Sequence, residues 1–152
     1  MKRHRSIFFA FFAILAACQT LTSPPSFTAS TNNEFTLVPN QPATITDADL
    51  TITFNSVLSD DRCPSEVECV ASGPVAVSLS VQPDNENATD LTLETFTDQN
   101  GHAPGGQFEG IEDRVKIGDY LIQIVGVTPY PKNLSTRIMP SEYQATFIVT
   151  QK

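Results

Sequence analysis

From residue 35 to residue 151 the apolar and polar side chains alternate in short runs, and no stretch of that region sustains a helical period. The clearest run is 74–82, PVAVSLSVQ. There Val75, Val77, Leu79 and Val81 fall on one side, and Ala76, Ser78 and Ser80 on the other. A period of two marks a strand with one face in the core and one face wet. The same pattern places Leu50, Ile52 and Phe54 on one face of a strand over 50–58, and Tyr143, Ala145, Phe147 and Val149 on one face of the final strand, 142–151.

Shorter runs complete the set: FTLV at 35–38, closed by Pro39; QPATIT at 41–46, continuing it across a turn; LTLETFT at 91–97; and 114–117. The last of these turns at Gly118-Asp119 into YLIQIVGV, 120–127, which is a hairpin signal. That second arm is apolar on both faces, so it belongs in the middle of a sheet. The segment 128–142 carries three prolines and cannot hold an internal strand. Seven or eight short strands predict one all-β domain, an antiparallel, Ig-like β-sandwich over 35–152.

The N-terminal region has a different texture. MKRHR followed by SIFFAFFAIL is a charged segment and an apolar run of about ten residues, half what a permanent membrane helix needs. It reads as a signal peptide over 1–17. Residues 19–34, rich in Ser, Thr, Pro and Asn, read as a flexible tether that follows Cys18.

Leu15-Ala16-Ala17-Cys18 resembles the lipobox of bacterial lipoproteins. The resemblance implies cleavage between Ala17 and Cys18, a diacylglyceryl thioether on Cys18 and acylation of its amino group. Two or more acyl chains anchor stably, so the expected location is the cell envelope. Gln19 in place of an aspartate points to the outer membrane of a two-membrane host, facing the periplasm or the surface.

Removing the signal leaves six basic residues against all 17 acidic ones, a net charge of −11. This excludes nucleic acid as a partner, because phosphate contacts need clustered Lys and Arg. Cationic proteins or metal ions are the electrostatically permitted partners; besides the membrane, the expected partner is another envelope or secreted protein.

Two cysteines remain in DDRCPSEVECVASG, 60–73. An even pair in an exported chain favours a disulfide. In a helix their Cα atoms would stand about 9 Å apart and in a strand about 20 Å, whereas a disulfide needs roughly 4.4–6.8 Å. A Cys63–Cys69 bond therefore requires PSEVE to fold back as a tight, exposed turn. Zinc lacks ligands, since His102 is the only histidine after Cys18. A reactive thiol is disfavoured by Asp60, Asp61, Glu66 and Glu68, with Arg62 the only local cation.

The sequence Arg62-Cys63-Pro64, an acidic insert, Cys69-Val70 and Gly73 resembles the signature of a small secreted domain found in many bacterial lipoproteins. Val127-Thr128-Pro129-Tyr130-Pro131 and Tyr143-Gln144-Ala145-Thr146 fit it too. The resemblance spans roughly residues 35–150 and implies fold and location, with no assigned activity. Ala71 stands where that signature usually has Trp.

Candidate chemistry is sparse. His102, in a glycine-rich loop, has no catalytic motif beside it, so no enzyme activity and no cofactor are expected. Asp84, Glu86 and Asp90, and separately Glu109, Glu112 and Asp113, are weak calcium candidates without an EF-hand glycine. Arg62, Ala71 and Tyr130 are the candidate binding residues. Tyr130 sits between two prolines, which present an aromatic at low entropic cost, unless it packs on the sheet edge. The resulting function classes are a non-enzymatic binding or structural lipoprotein, an inhibitor of a secreted and cationic hydrolase such as a lysozyme, and a calcium-dependent module.

Overall fold

A computed structural model describes residues 24–152. The signal segment, Ala17 and Cys18 lie outside the described residues. Nine strands form among the described residues: β1 (Phe27–Ala29), β2 (Glu34–Leu37), β3 (Gln41–Ile45), β4 (Leu50–Asp60), β5 (Val75–Pro83), β6 (Thr89–Thr95), β7 (Arg114–Ile117), β8 (Tyr120–Thr128) and β9 (Gln144–Gln151). They make two sheets, ordered β1-β3-β4-β5-β6 and β2-β9-β8-β7. The fold is an all-β sandwich, as the alternation predicts.

The buried faces are those the pattern selects. Leu50, Ile52 and Phe54 of β4, Val75, Val77, Leu79 and Val81 of β5, and Ala145, Phe147 and Val149 of β9 are buried together in one core. The sheets meet where Phe54 approaches Phe147, with ring centroids 6.3 Å apart, and Phe147 also packs on Phe35 of β2 at 6.1 Å. The apolar arm β8 lies between β9 and β7, where both its edges are paired.

Three expectations need correction. Phe27–Ala29, inside the stretch read as a tether, is a strand, and Phe27 stacks on Phe35 at 6.4 Å. Nothing in its composition has a period, because three residues are too few to show one. The β1–β3 pairing is parallel, so the sandwich is not wholly antiparallel. Finally, β3 does not continue β2 within one sheet. Asn40, at φ 63°, turns the chain so that β2 pairs with β9 while β3 pairs with β4 in the opposite sheet.

That crossing leaves β3 short. It covers β4 from Leu50 to Phe54, and β4 runs on for six more residues with only β5 beside it. Strand β4 therefore projects past its neighbour toward the loops at 60–74, 96–113 and 128–143.

Phe147→Ala is expected to lower the unfolding free energy by about 3–5 kcal/mol, because it leaves a cavity where both sheets meet. Leu58→Ala, at a position 58% exposed, should change it by no more than about 0.5 kcal/mol. Urea titration of both variants checks this; equal losses would mean that the core is wrongly placed.

Candidate functional site

The loop end of the sandwich is organised by one side chain. Asp60 ends β4 and Arg62 follows two residues later, past the strand. Arg62 is 3% exposed, and burying an arginine demands a partner for every N–H. It has them. Nε and Nη2 donate to the two carboxylate oxygens of Asp60 at 2.7 and 2.6 Å. Nη1 donates to the Val127 carbonyl at 2.8 Å and to the Thr97 hydroxyl at 3.1 Å. Nη2 also donates to the Pro129 carbonyl at 2.9 Å. The Tyr130 ring covers the guanidinium, its centroid 5.0 Å from Cζ.

Arg62 thus joins the end of β4, the segment after β6, the end of β8 and the start of the proline-rich loop. Asp60 ties in the entry to β9 as well, accepting the Tyr143 hydroxyl at 3.0 Å. Burial, then the Asp60 charge and hydrogen bond, push the Tyr143 phenol up to about 12.

The cysteine segment attaches beside this hub. Cys63 and Cys69 form a disulfide with their Cα atoms 6.0 Å apart. Between them the chain turns, Val67 N–H donating to the Pro64 carbonyl at 3.0 Å. Ser65 and Glu66 donate their backbone N–H groups to the carbonyls of Pro131 and Lys132 at 3.0 and 2.9 Å. The Glu66 side chain adds an exposed ion pair with Lys132 at 3.4 Å and accepts from Asn133 Nδ2 at 3.2 Å. The disulfide turn and the proline-rich loop are therefore laced together through their main chains.

Gly73 has a steric reason to be glycine. It donates to the Asp61 carbonyl at 2.8 Å, and a Cβ there would lie 2.6 Å from the Asp61 Cβ. Ala71 is exposed beside it.

Between the end of β4 and the proline-rich loop lies an open groove of about 350 Å³. One wall is Val57, Leu58, Ser59 and Asp60; the other is formed by Pro131, Thr136–Ile138, Pro140 and Tyr143. Leu58, in its wall, is 58% exposed, and Met139 and Leu134 are exposed on the same proline-rich loop outside the lining. A single turn of 3-10 helix, Pro140–Glu142, closes the loop, the Glu142 carboxylate accepting from Met139 N–H at 2.6 Å.

Several residues that the sequence singles out have other roles. Arg62 is not available to a ligand, because all five of its N–H groups are used inside the protein. Tyr130 is half-buried, and the ring face turned to Arg62 is not offered to solvent. His102 is exposed, 3.8 Å from Asp98. Its backbone N–H, donated to the Asp98 carboxylate at 2.9 Å, is the main reason that this acid is held below the usual carboxylate range.

The weak calcium sites do not assemble. Among the described residues no three His, Cys, Asp or Glu side chains converge to hold a metal ion. Asp84 and Glu86 sit in the exposed turn after β5, and Asp90 of β6 accepts a short hydrogen bond from Ser80 of β5. Asp113 is buried and fully engaged, accepting from Arg114 at 2.7 and 2.8 Å and from Gln123 at 3.1 Å.

Comparison with protein-family models, with curated proteins and with solved structures gave no match.

Arg62→Ala is expected to cost about 3–5 kcal/mol, because it strands the Asp60 carboxylate in a largely buried site, and Arg62→Lys should recover little of it, since a lysine lacks the fork that meets both oxygens and two carbonyls. Denaturant midpoints decide this.

The alkaline limb of stability gives a second test. Tyr143 binds its proton more tightly folded than unfolded, so folding stability is intact below pH 10 and falls as pH rises from about 10 to about 12. Tyr143→Phe should flatten that limb of the stability profile. An unchanged slope would remove Tyr143 from the network.

Proposed function

We propose that this chain is a lipid-anchored protein of the cell envelope whose sandwich is a non-enzymatic binding module, with its binding surface at the loop end. Support for the anchor comes from the charged and apolar leader running into Leu15-Ala16-Ala17-Cys18. The module reading rests on one observation: a groove with exposed Leu58 in its wall runs beside a loop, carrying exposed Met139, that is fixed by a fully hydrogen-bonded Arg62.

Exposed apolar side chains on a mobile loop would be unremarkable. On a fixed one, most of the ordering entropy is already lost before a partner arrives, so contact surface converts more fully into affinity. The partner is another envelope or secreted protein.

A second reading, inhibition of a secreted hydrolase, is favoured by the same rigid loop. Leu134 and Met139 project from a proline-rich segment that is pinned at Pro129, Pro131 and Lys132, which is how a loop could enter an enzyme cleft without unfolding. Pull-down from envelope extract with the soluble domain separates the two. A captured hydrolase that loses activity selects inhibition, and capture of structural components alone rejects it.

Cys18→Ser is expected to abolish palmitate labelling and to move the protein from the membrane fraction to the soluble one. Unchanged labelling and fractionation would overturn the anchor.

A further inference from the structure

We propose that the projecting end of β4 is a strand-addition site, taking an extended peptide that carries an apolar side chain next to a carboxylate. This rests on the binding-module reading and names the ligand class for its groove.

The groove is lined by four consecutive residues of one strand, Val57 to Asp60. Pro140 lines this groove and also the neighbouring hollow lined by Pro39, Asn40, Asn55 and Ser56, which sets the groove along the edge of β4 that faces the start of β3. That edge has no strand beside it, because β3 pairs with β4 only over Leu50–Phe54. On the other side Ser56–Asp60 is held by β5, pairing Ser56↔Ser78, Val57↔Val77, Ser59↔Ala76 and Asp60↔Val75, with register shifts between Phe54 and Ser56 and between Val57 and Ser59 that leave Asn55 and Leu58 without a partner in β5.

An open edge is ordinarily guarded by charge, proline, brevity or a β-bulge. The outer strands of this sandwich follow that rule. β6 carries Asp90 and Glu94, β7 carries Arg114 and Lys116, and β1 and β2 have three and four residues. The end of β4 reads Ser-Val-Leu-Ser-Asp. Its one charge, Asp60, is neutralised by the Arg62 guanidinium, so the segment presents an apolar edge whose only guard is its two bulges.

Charge complementarity selects the ligand. Among the described residues, Arg137 is the one cation lining the groove that makes no ion pair. Leu58, Ile138 and Pro140 supply the apolar part of the groove wall. An added strand would gain main-chain hydrogen bonds from β4, an apolar contact with Leu58 and Ile138, and a carboxylate beside Arg137.

The test uses a capped six-residue peptide alternating valine and threonine, with glutamate replacing one threonine, added to the soluble domain and followed by amide exchange and amide chemical shifts. Amides within Ser56–Asp60 should slow about tenfold on saturation, a change of about 1.4 kcal/mol. N-methylation of alternate peptide nitrogens should abolish the effect. A lysine in place of the glutamate, or Arg137→Glu against the glutamate peptide, should weaken binding about fivefold, as expected for an exposed pair. Leu58→Asp, which lies on the exposed wall and leaves the core intact, should remove binding while the urea midpoint stays near that of the wild type.

Shifts confined to other strands, or exchange at Ser56–Asp60 unaffected at millimolar peptide, would overturn the proposal. So would an envelope partner retained equally by wild type and Leu58→Asp; that last result leaves the binding-module reading standing, whereas failure of both proteins to retain any partner removes that reading itself.

Discussion

The loop end of this sandwich depends on the burial of one guanidinium. Moving an arginine and an aspartate out of water is costly, and their attraction offsets that cost only when geometry is good and every remaining donor is met. Here the carboxylate is engaged in the two-pronged way that arginine favours, and the other N–H groups end on a hydroxyl and two main-chain carbonyls. Those acceptors lie 35, 65 and 67 residues along the chain from Arg62. Each bond fixes a segment that the β ladders do not reach. A hydrophobic side chain of the same size would pack there, but it would leave Val127 and Pro129 without these donors and would set no direction for the proline-rich loop. The choice of arginine is therefore about position as much as about stability.

The disulfide has a narrower task. Its ring spans six positions, so in the chain-entropy picture it removes little freedom from the unfolded state, about 2 kcal/mol. It cannot hold distant elements, because it joins none. What it does is shape the 64–68 turn so that Ser65 and Glu66 present their N–H groups to Pro131 and Lys132. Gly73 lets the exit of that segment lie against Asp61, where a side chain would collide. Two constraints of different range thus act in series: Arg62 places the proline-rich loop, and the cysteine turn clamps its middle.

Most of the strand framework is legible in the sequence because it obeys a single period. Alternation in 50–58, 74–82 and 142–151 marks the buried faces of β4, β5 and β9 residue by residue, and the two-sided apolarity of 120–127 marks the internal position of β8. What stays hidden depends on pairings rather than on periods. β1 is too short to carry a pattern and exists through its contacts with β3 and Phe35. The switch of sheets at Asn40 leaves no mark beyond a turn signal. Arg62 is visible as a cation among acids, yet its partners at Thr97, Val127 and Pro129 are brought to it only by the closed fold. One signal is available: an arginine two residues after an aspartate that ends a strand is within reach of its carboxylate.

The groove follows from a mismatch between two lengths. β3 starts only after the chain has crossed from β2, since Pro39 and Asn40 lie between the sheets, and β4 needs a longer run to carry Asp60 to Arg62 and Tyr143. A strand long enough to form the hub must then outlast the partner that would have covered its edge. The proline-rich loop cannot supply the missing ladder: prolines at 129, 131 and 140 lack N–H groups, and polar groups along it are spent on Glu66, on Arg62 and on its own turns. It stands off from β4 as a wall instead of pairing with it. The same ion pair that makes the loop end rigid thereby leaves a strand edge open inside it, and in this sandwich rigidity and an available edge are consequences of one constraint.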